Sequence, residues 1–157
     1  MRRVLPSLLV MVCSLWLGGL VTLFIVVESL FVTFDADHTL AGLAASGIFG
    51  CFNRYQLVLA AIALVGSFFW RLQSRRGGVT ALFFCFGLAA FAAIIVAGII
   101  TPNLDAMRLT QKTQSLEFKR LHGISMALYL GEVICLVGAG LLLPAMIRRV
   151  AQDETRA

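Results

Sequence analysis

Charge is scarce in this chain. Of 157 residues, 13 are Lys or Arg and 8 are Asp or Glu, so 13% are charged, where a soluble domain carries about 25%. That scarcity excludes an ordinary soluble domain. It also excludes a nucleic-acid groove, because the arginines flank apolar runs and do not line a basic face. Histidine occurs only twice, as His38 and His122. The four cysteines, Cys13, Cys51, Cys85 and Cys135, stand near separate apolar runs without the paired spacing of a zinc or redox motif. They read as small apolar residues and not as disulfides. No nucleophile elbow, catalytic carboxylate pair or phosphate-binding glycine loop occurs, so an enzyme is not expected.

What is abundant is apolar sequence, at 60% of the residues. It falls into four runs: Leu5 to Val27, Ile48 to Trp70, Val79 to Ile100 and Ile124 to Ile147. Each has about the 20 residues that a helix needs to span roughly 30 Å of hydrocarbon. Water is absent there, so backbone polar groups must pair within the segment, as they do in a helix. The expectation is an all-α, integral membrane, antiparallel four-helix bundle in one domain, residues 1–157, with helices at 5–34, 39–70, 79–101 and 122–148. Arg2 and Arg3 before the first run resemble a signal peptide. The run is too long, and no small-x-small cleavage site follows, so a retained anchor is expected.

The charges predict orientation. One side holds Arg2, Arg3, Arg71, Arg75, Arg76, Arg148, Arg149 and Arg156 with Asp153 and Glu154, a net of +6. The other holds Arg54, Arg108, Lys112, Lys119 and Arg120 with Glu28, Asp35, Asp37, Asp105, Glu117 and Glu132, a net of −1. The positive-inside rule places both termini in the cytoplasm. The expected location is the inner membrane of a bacterium. The short segment from Arg71 to Gly78 makes helices two and three antiparallel neighbours, with Gly77-Gly78 ending the turn. Its arginines set topology and lie at the level of lipid headgroups.

Asp35-Ala36-Asp37 is expected to cap helix two near Thr39. Gly42, Ser46 and Gly50 form a stripe of small residues suited to close helix approach, as do Ala89, Ala93 and Ala97, and Ser14 with Gly18. Pro102 is expected to stop helix three. Between Thr101 and Leu121, apolar Met107, Leu109, Leu116, Phe118 and Leu121 interleave with Arg108, Lys112, Lys119 and Arg120, the pattern of an interfacial amphipathic helix or, alternatively, of a plain surface loop.

Chemistry concentrates in helix four. His122, Ser125, Tyr129, Glu132 and Cys135 follow steps of three, four, three and three, which share one helical face. Glu132 lies ten residues below His122, about 15 Å, in the outer half of the hydrocarbon. Helix two must carry Asn53, Arg54 and Gln56 to span, and Arg54 falls at nearly the depth of Glu132. An Arg54–Glu132 ion pair is therefore expected, either fixing helix packing or serving a ligand. With Arg54 at the surface instead, Glu132 is expected to be protonated, because burial disfavours its charged form. Two weaker arrangements use the histidines. Glu28, Asp35 and Asp37 form a solvated acidic patch that, with His38 and His122, has ligands for a divalent metal. His38 and His122, at the outer ends of parallel helices, have the chemistry to bind haem b from opposite faces.

Several features together resemble a known family. They are Leu15-Trp16-Leu17-Gly18-Gly19 with Phe24 and Phe31, Ala41-Gly42 before Ile48-Phe49, then Pro102, Arg108 and Phe118-x-x-x-His122-Gly123-x-Ser125. The chain resembles the four-helix membrane family called domain of unknown function 4149, which includes transmembrane protein 205, and the likeness covers nearly its whole length. The resemblance implies a four-helix bundle without an established enzymatic activity. More distantly it is similar to the membrane part of copper-resistance D proteins and to haem-binding oxidases of the protoporphyrinogen type. Copper or platinum tolerance in that family implies Met107, Met126, Cys135 and His122 as soft ligands. The expected function is a structural or accessory membrane subunit without a cofactor, its partners the lipid bilayer and other membrane subunits. The alternatives are metal-ion or small-solute binding through Arg54, Tyr129, Glu132, His122 and Ser125, and a haem-binding redox protein.

Overall fold

The computed structural model describes residues 4–74 and 77–154, with side chains through Arg148. The helices are α1 (Val4–Thr33), α2 (His38–Gln73), α3 (Gly77–Ile95), α4 (Thr101–Leu109) and α5 (Leu116–Glu154). A π-helical turn, Val96–Ile100, joins α3 to α4, so that Gly77–Leu109 forms one rod. Four long rods thus pack antiparallel, each long and apolar enough to cross a bilayer. The chain is an all-α, multi-pass membrane bundle. The described chain enters and leaves at the same end, here the terminal end; the opposite end is distal. Of the arginines used to orient the chain, Arg2, Arg3, Arg75, Arg76 and Arg156 lie outside the described residues, as do the side chains of Arg149, Asp153 and Glu154.

α1 packs on α2 and α5, and α3 packs on the same two from the other side. α2 and α5 therefore stand diagonally, parallel to each other, and meet only through side chains. Lipid is as apolar as leucine, so close packing and buried hydrogen bonds hold such helices together. Ala60, Ala63, Ala89 and Ala93 are fully buried at the seams. Gly66 admits Leu9, whose Cδ2 lies 3.0 Å from where a Cβ would stand, and Gly19 admits Tyr55 and Phe52 at 3.0 and 3.1 Å. By contrast, a Cβ at Gly42 or Gly50 meets nothing within 4 Å. Of the stripe expected on α2, Gly42 and Gly50 thus admit no neighbour closely, while Ser46 reaches Asp105 of α4. Leu82, Phe86, Leu136 and Leu143 fill the terminal half, and Val58, Val65, Phe84, Leu88 and Phe91 face outward.

The helix ends follow local chemistry. The Asp37 carboxylate accepts from the backbone N–H of Thr39 and Leu40, at 3.1 and 3.0 Å, and starts α2. Ser115 Oγ accepts from Phe118 N at 3.1 Å and starts α5 at Leu116, six residues before the start expected from the apolar run. The expectation that Pro102 stops the third helix is corrected. Pro102 has no N–H and its ring conflicts with the carbonyl four residues back, and a widened turn accommodates both. Thr101 N bonds Val96 O across that turn, and Asn103 Nδ2 donates to Ile99 O at 2.7 Å. The helix then continues to Leu109, and the interfacial helix expected over Thr101 to Leu121 is two helix ends joined by a short loop.

That loop turns on Gln111, which has φ 55°. Lys112 N bonds Met107 O and Gln111 N bonds Arg108 O, the two bonds of a Schellman cap. An L-residue in the left-handed region costs about 1 kcal/mol or more, which glycine avoids. Gln111→Gly is expected to raise the melting temperature in detergent by about 3 °C, and Gln111→Val to lower it, as read by circular dichroism.

Candidate functional site

Of the buried polar side chains, Asn53, Gln56, Ser125 and Glu132 gather in the distal half of the bundle, while Ser67 lies toward the terminal end and bonds Leu64 O of its own helix. Gln56 lies fifteen residues, about 22 Å, from Arg71, which is beyond the middle of a hydrocarbon layer of about 30 Å. Asn53 is the hub of the cluster. Its Nδ2 donates to Thr101 Oγ1 at 2.9 Å, and its Oδ1 accepts from Gln56 Nε2 at 3.1 Å and from Tyr129 Oη at 3.0 Å. One amide thus ties α2 to α5 across the diagonal and to α4 just after the π turn. The Tyr129 ring is enclosed by Phe24, Phe49 and Phe52, with centroids 6.2, 5.9 and 6.5 Å away.

One turn toward the terminal end lies a second layer. Gln56 follows Asn53 by three residues and Glu132 follows Tyr129 by three, so the two descend together from the hydrogen bond that joins their helices. Trp16 of α1 completes the layer. It stands three residues beyond Cys13, whose Sγ donates to Leu136 O at 3.4 Å, four residues past Glu132. Trp16, Gln56 and Glu132 are each 0% exposed. The Trp16 indole lies against the Glu132 carboxyl, yet its N–H closes no hydrogen bond with it. Among the described residues, Trp16 Nε1, Gln56 Oε1 and both Glu132 oxygens are buried without a hydrogen-bond partner. Buried polar groups in proteins are rarely left so.

Above the network is a cavity of about 20 Å³, lined by Phe49, Thr101, Leu104, Arg108, His122, Ser125 and Met126. That is room for about one water molecule. Its distal rim is a chain of contacts. Ser46 Oγ donates to Asp105 Oδ1 at 2.6 Å, and Arg108 pairs with the same oxygen at 2.7 Å. The Arg108 guanidinium also lies 5.7 Å from the Phe118 ring, which stacks on His122 at 6.2 Å and 4°. Polar side chains therefore run from the rim past Ser125 and Tyr129 to Glu132.

Of the residues singled out by sequence, Ser125, Tyr129 and Glu132 are buried and line one path, and His122 is an exposed residue of its rim. Arg54 is exposed, and the expected Arg54–Glu132 pair does not form. Depth was estimated correctly and angle was not. Successive helix residues differ by about 100°. Asn53 and Gln56 hold the inward face of α2, so Arg54 turns outward. The haem arrangement fails on height. His38 to Asn53 is fifteen residues, about 22 Å, whereas His122 to Tyr129 is seven, about 10 Å. The two histidines are thus about 12 Å apart along the bundle, too far for one iron. His38 instead packs on Phe31. Among the described residues no three His, Cys, Asp or Glu side chains come together. The acidic patch with the histidines therefore forms no such group; of the soft set, His122 and Met126 line the cavity together, and Cys135 lies thirteen residues, about 20 Å, below His122 on α5.

Sequence reading missed Trp16, Asn53 as hub, Thr101 and the Asp105–Arg108 pair. For Asn53 and Gln56 a signal existed: two amides three apart in an apolar helix share a face. Trp16 carried none, because an interfacial and a core tryptophan read alike. Compared with known protein families, curated proteins and solved structures, the chain matches none.

If Asn53 is the hub, Asn53→Leu strands three partners and is expected to destabilise the protein by about 2 kcal/mol, and Tyr129→Phe by about 1 kcal/mol. The two should not add. In the Asn53→Leu background Tyr129→Phe should be neutral or stabilising, measured by unfolding in mixed micelles.

Proposed function

We propose that this membrane protein binds a small cationic or hydrogen-bond-donating solute in the distal half of its bundle, with Glu132 as the principal acceptor. One observation carries the reading: Glu132 is fully buried with neither oxygen partnered among the described residues, in a layer that holds a further unpartnered amide oxygen. A purely structural carboxylate in hydrocarbon is normally held by an opposite charge. The residue expected to supply it, Arg54, faces away. This favours a binding or carrier role over an accessory subunit and over catalysis. With the termini in the cytoplasm, as the arginine bias expects, the cavity at His122 and Ser125 lies on the outer side of the layer that holds Glu132. The resemblance to domain of unknown function 4149 expected from the sequence implies a metal-ion or solute-handling role as well, although no family model matches the chain.

The test is thermal unfolding in lipid nanodiscs against protons, ammonium, alkali cations, calcium and copper(I). A ligand at about 100 times its dissociation constant stabilises by about 2.7 kcal/mol, a rise of about 8 °C for a chain of this size. At least one member should raise the melting temperature of the wild type and leave Glu132→Gln unmoved. If none does, or if both proteins respond alike, the binding function is wrong.

A further inference from the structure

The unpartnered layer has a chemical bias. Three of its four unpartnered atoms are acceptor oxygens, Glu132 Oε1, Glu132 Oε2 and Gln56 Oε1, and one is a donor, Trp16 Nε1. One turn away stand more oxygens: Tyr129 Oη, Asn53 Oδ1 and Thr101 Oγ1. The indole N–H is suited to steady one carboxylate oxygen, which leaves the remaining acceptors toward the interior. Oxygen-only donor sets suit hard cations, and sulfur or imidazole donors suit softer ones. Here the sulfur of Cys135 lies a turn further toward the terminal end, and His122 lies ten residues above at the rim, about 15 Å away.

Charge narrows the class further. No Lys, Arg or His among the described residues neutralises Glu132. Arg54 points outward, and Arg108 is already paired with Asp105 at the rim. As a carboxylate, Glu132 supplies a single negative charge, and among the described residues no group of three His, Cys, Asp or Glu side chains forms around it. A single charge balances a monovalent ion, where a divalent ion usually draws on more than one carboxylate. Toward the terminal end the bundle closes on Leu82, Phe86, Leu136 and Leu143.

From this donor set we infer a sodium-type site: a small alkali cation held by the Glu132 carboxylate and the Gln56 side-chain oxygen, with the Asn53–Tyr129–Thr101 layer above it. The inference rests on the binding reading above and names its ligand. A proton competes for the same carboxylate, so sodium and protons exclude each other.

The measurement is equilibrium binding of radiolabelled Na⁺ to the full chain in nanodiscs at neutral pH, with choline holding ionic strength constant. Saturable binding of one ion per chain is expected, weakened by acidification. Glu132→Gln should abolish it, and Gln56→Met should weaken it about tenfold. Arg54→Gln should leave it unchanged, because that side chain faces away. If Glu132→Gln fails to fold, Gln56→Met carries the test alone. Binding that survives in both variants, or none in the wild type, overturns the sodium site. Where sodium fails but protons or ammonium still stabilise the wild type through Glu132, the sodium site falls and the broader binding function stands. Where no cation acts through Glu132, both fall.

Discussion

Inside a bilayer there is no water to satisfy a polar atom, so each one must find its partner within the protein or in something the protein binds. The distal half of this bundle is organised by that constraint. Asn53 meets it in full, with its amide donating once and accepting twice, and so joins three helices. Remove that amide and Thr101, Gln56 and Tyr129 each lose a partner in a place where none can be borrowed from solvent. The position of the π turn fits the same logic. Pro102 interrupts the helix where Thr101 reaches α2, and the widened turn keeps the rod continuous.

The same constraint divides the molecule along its length. In the terminal half, Leu82, Phe86, Leu136 and Leu143 fill the core, and the buried Ser67 and Cys13 bond backbone carbonyls there. In the distal half, polar side chains descend from the Asp105–Arg108 rim to Glu132. Helix association in lipid rests on fit and not on exclusion of water. The apolar half and its alanine and glycine seams therefore hold the bundle together, while the polar half tolerates unsatisfied acceptors.

Much of this was legible in the chain itself. The four spans, their antiparallel order and the common end of the termini follow from apolar length and loop length. The depth of Glu132 follows from counting residues at 1.5 Å each. The Asp37 cap was equally readable, because a carboxylate before an apolar run serves the free N–H groups of a helix start. Ser115 carries a similar signal, an N-cap residue with Glu117 in the first turn, which apolar periodicity outweighed.

Rotation about each helix axis was harder to read. Periodicity alone placed His122, Ser125, Tyr129 and Glu132 on one face of α5, yet it did not settle whether Asn53 or Arg54 looks inward on α2. A step of one residue turns a side chain by about 100°, which is enough to move an arginine from a buried ion pair to the bundle surface. That choice depends on how all four rods pack at once, through contacts between residues as distant in sequence as Asn53 and Tyr129. Length, hydropathy and depth are properties of one helix and were determined by the sequence alone. Which polar groups meet, and which are left without a partner, is a property of several helices together, and only the tertiary structure decided it.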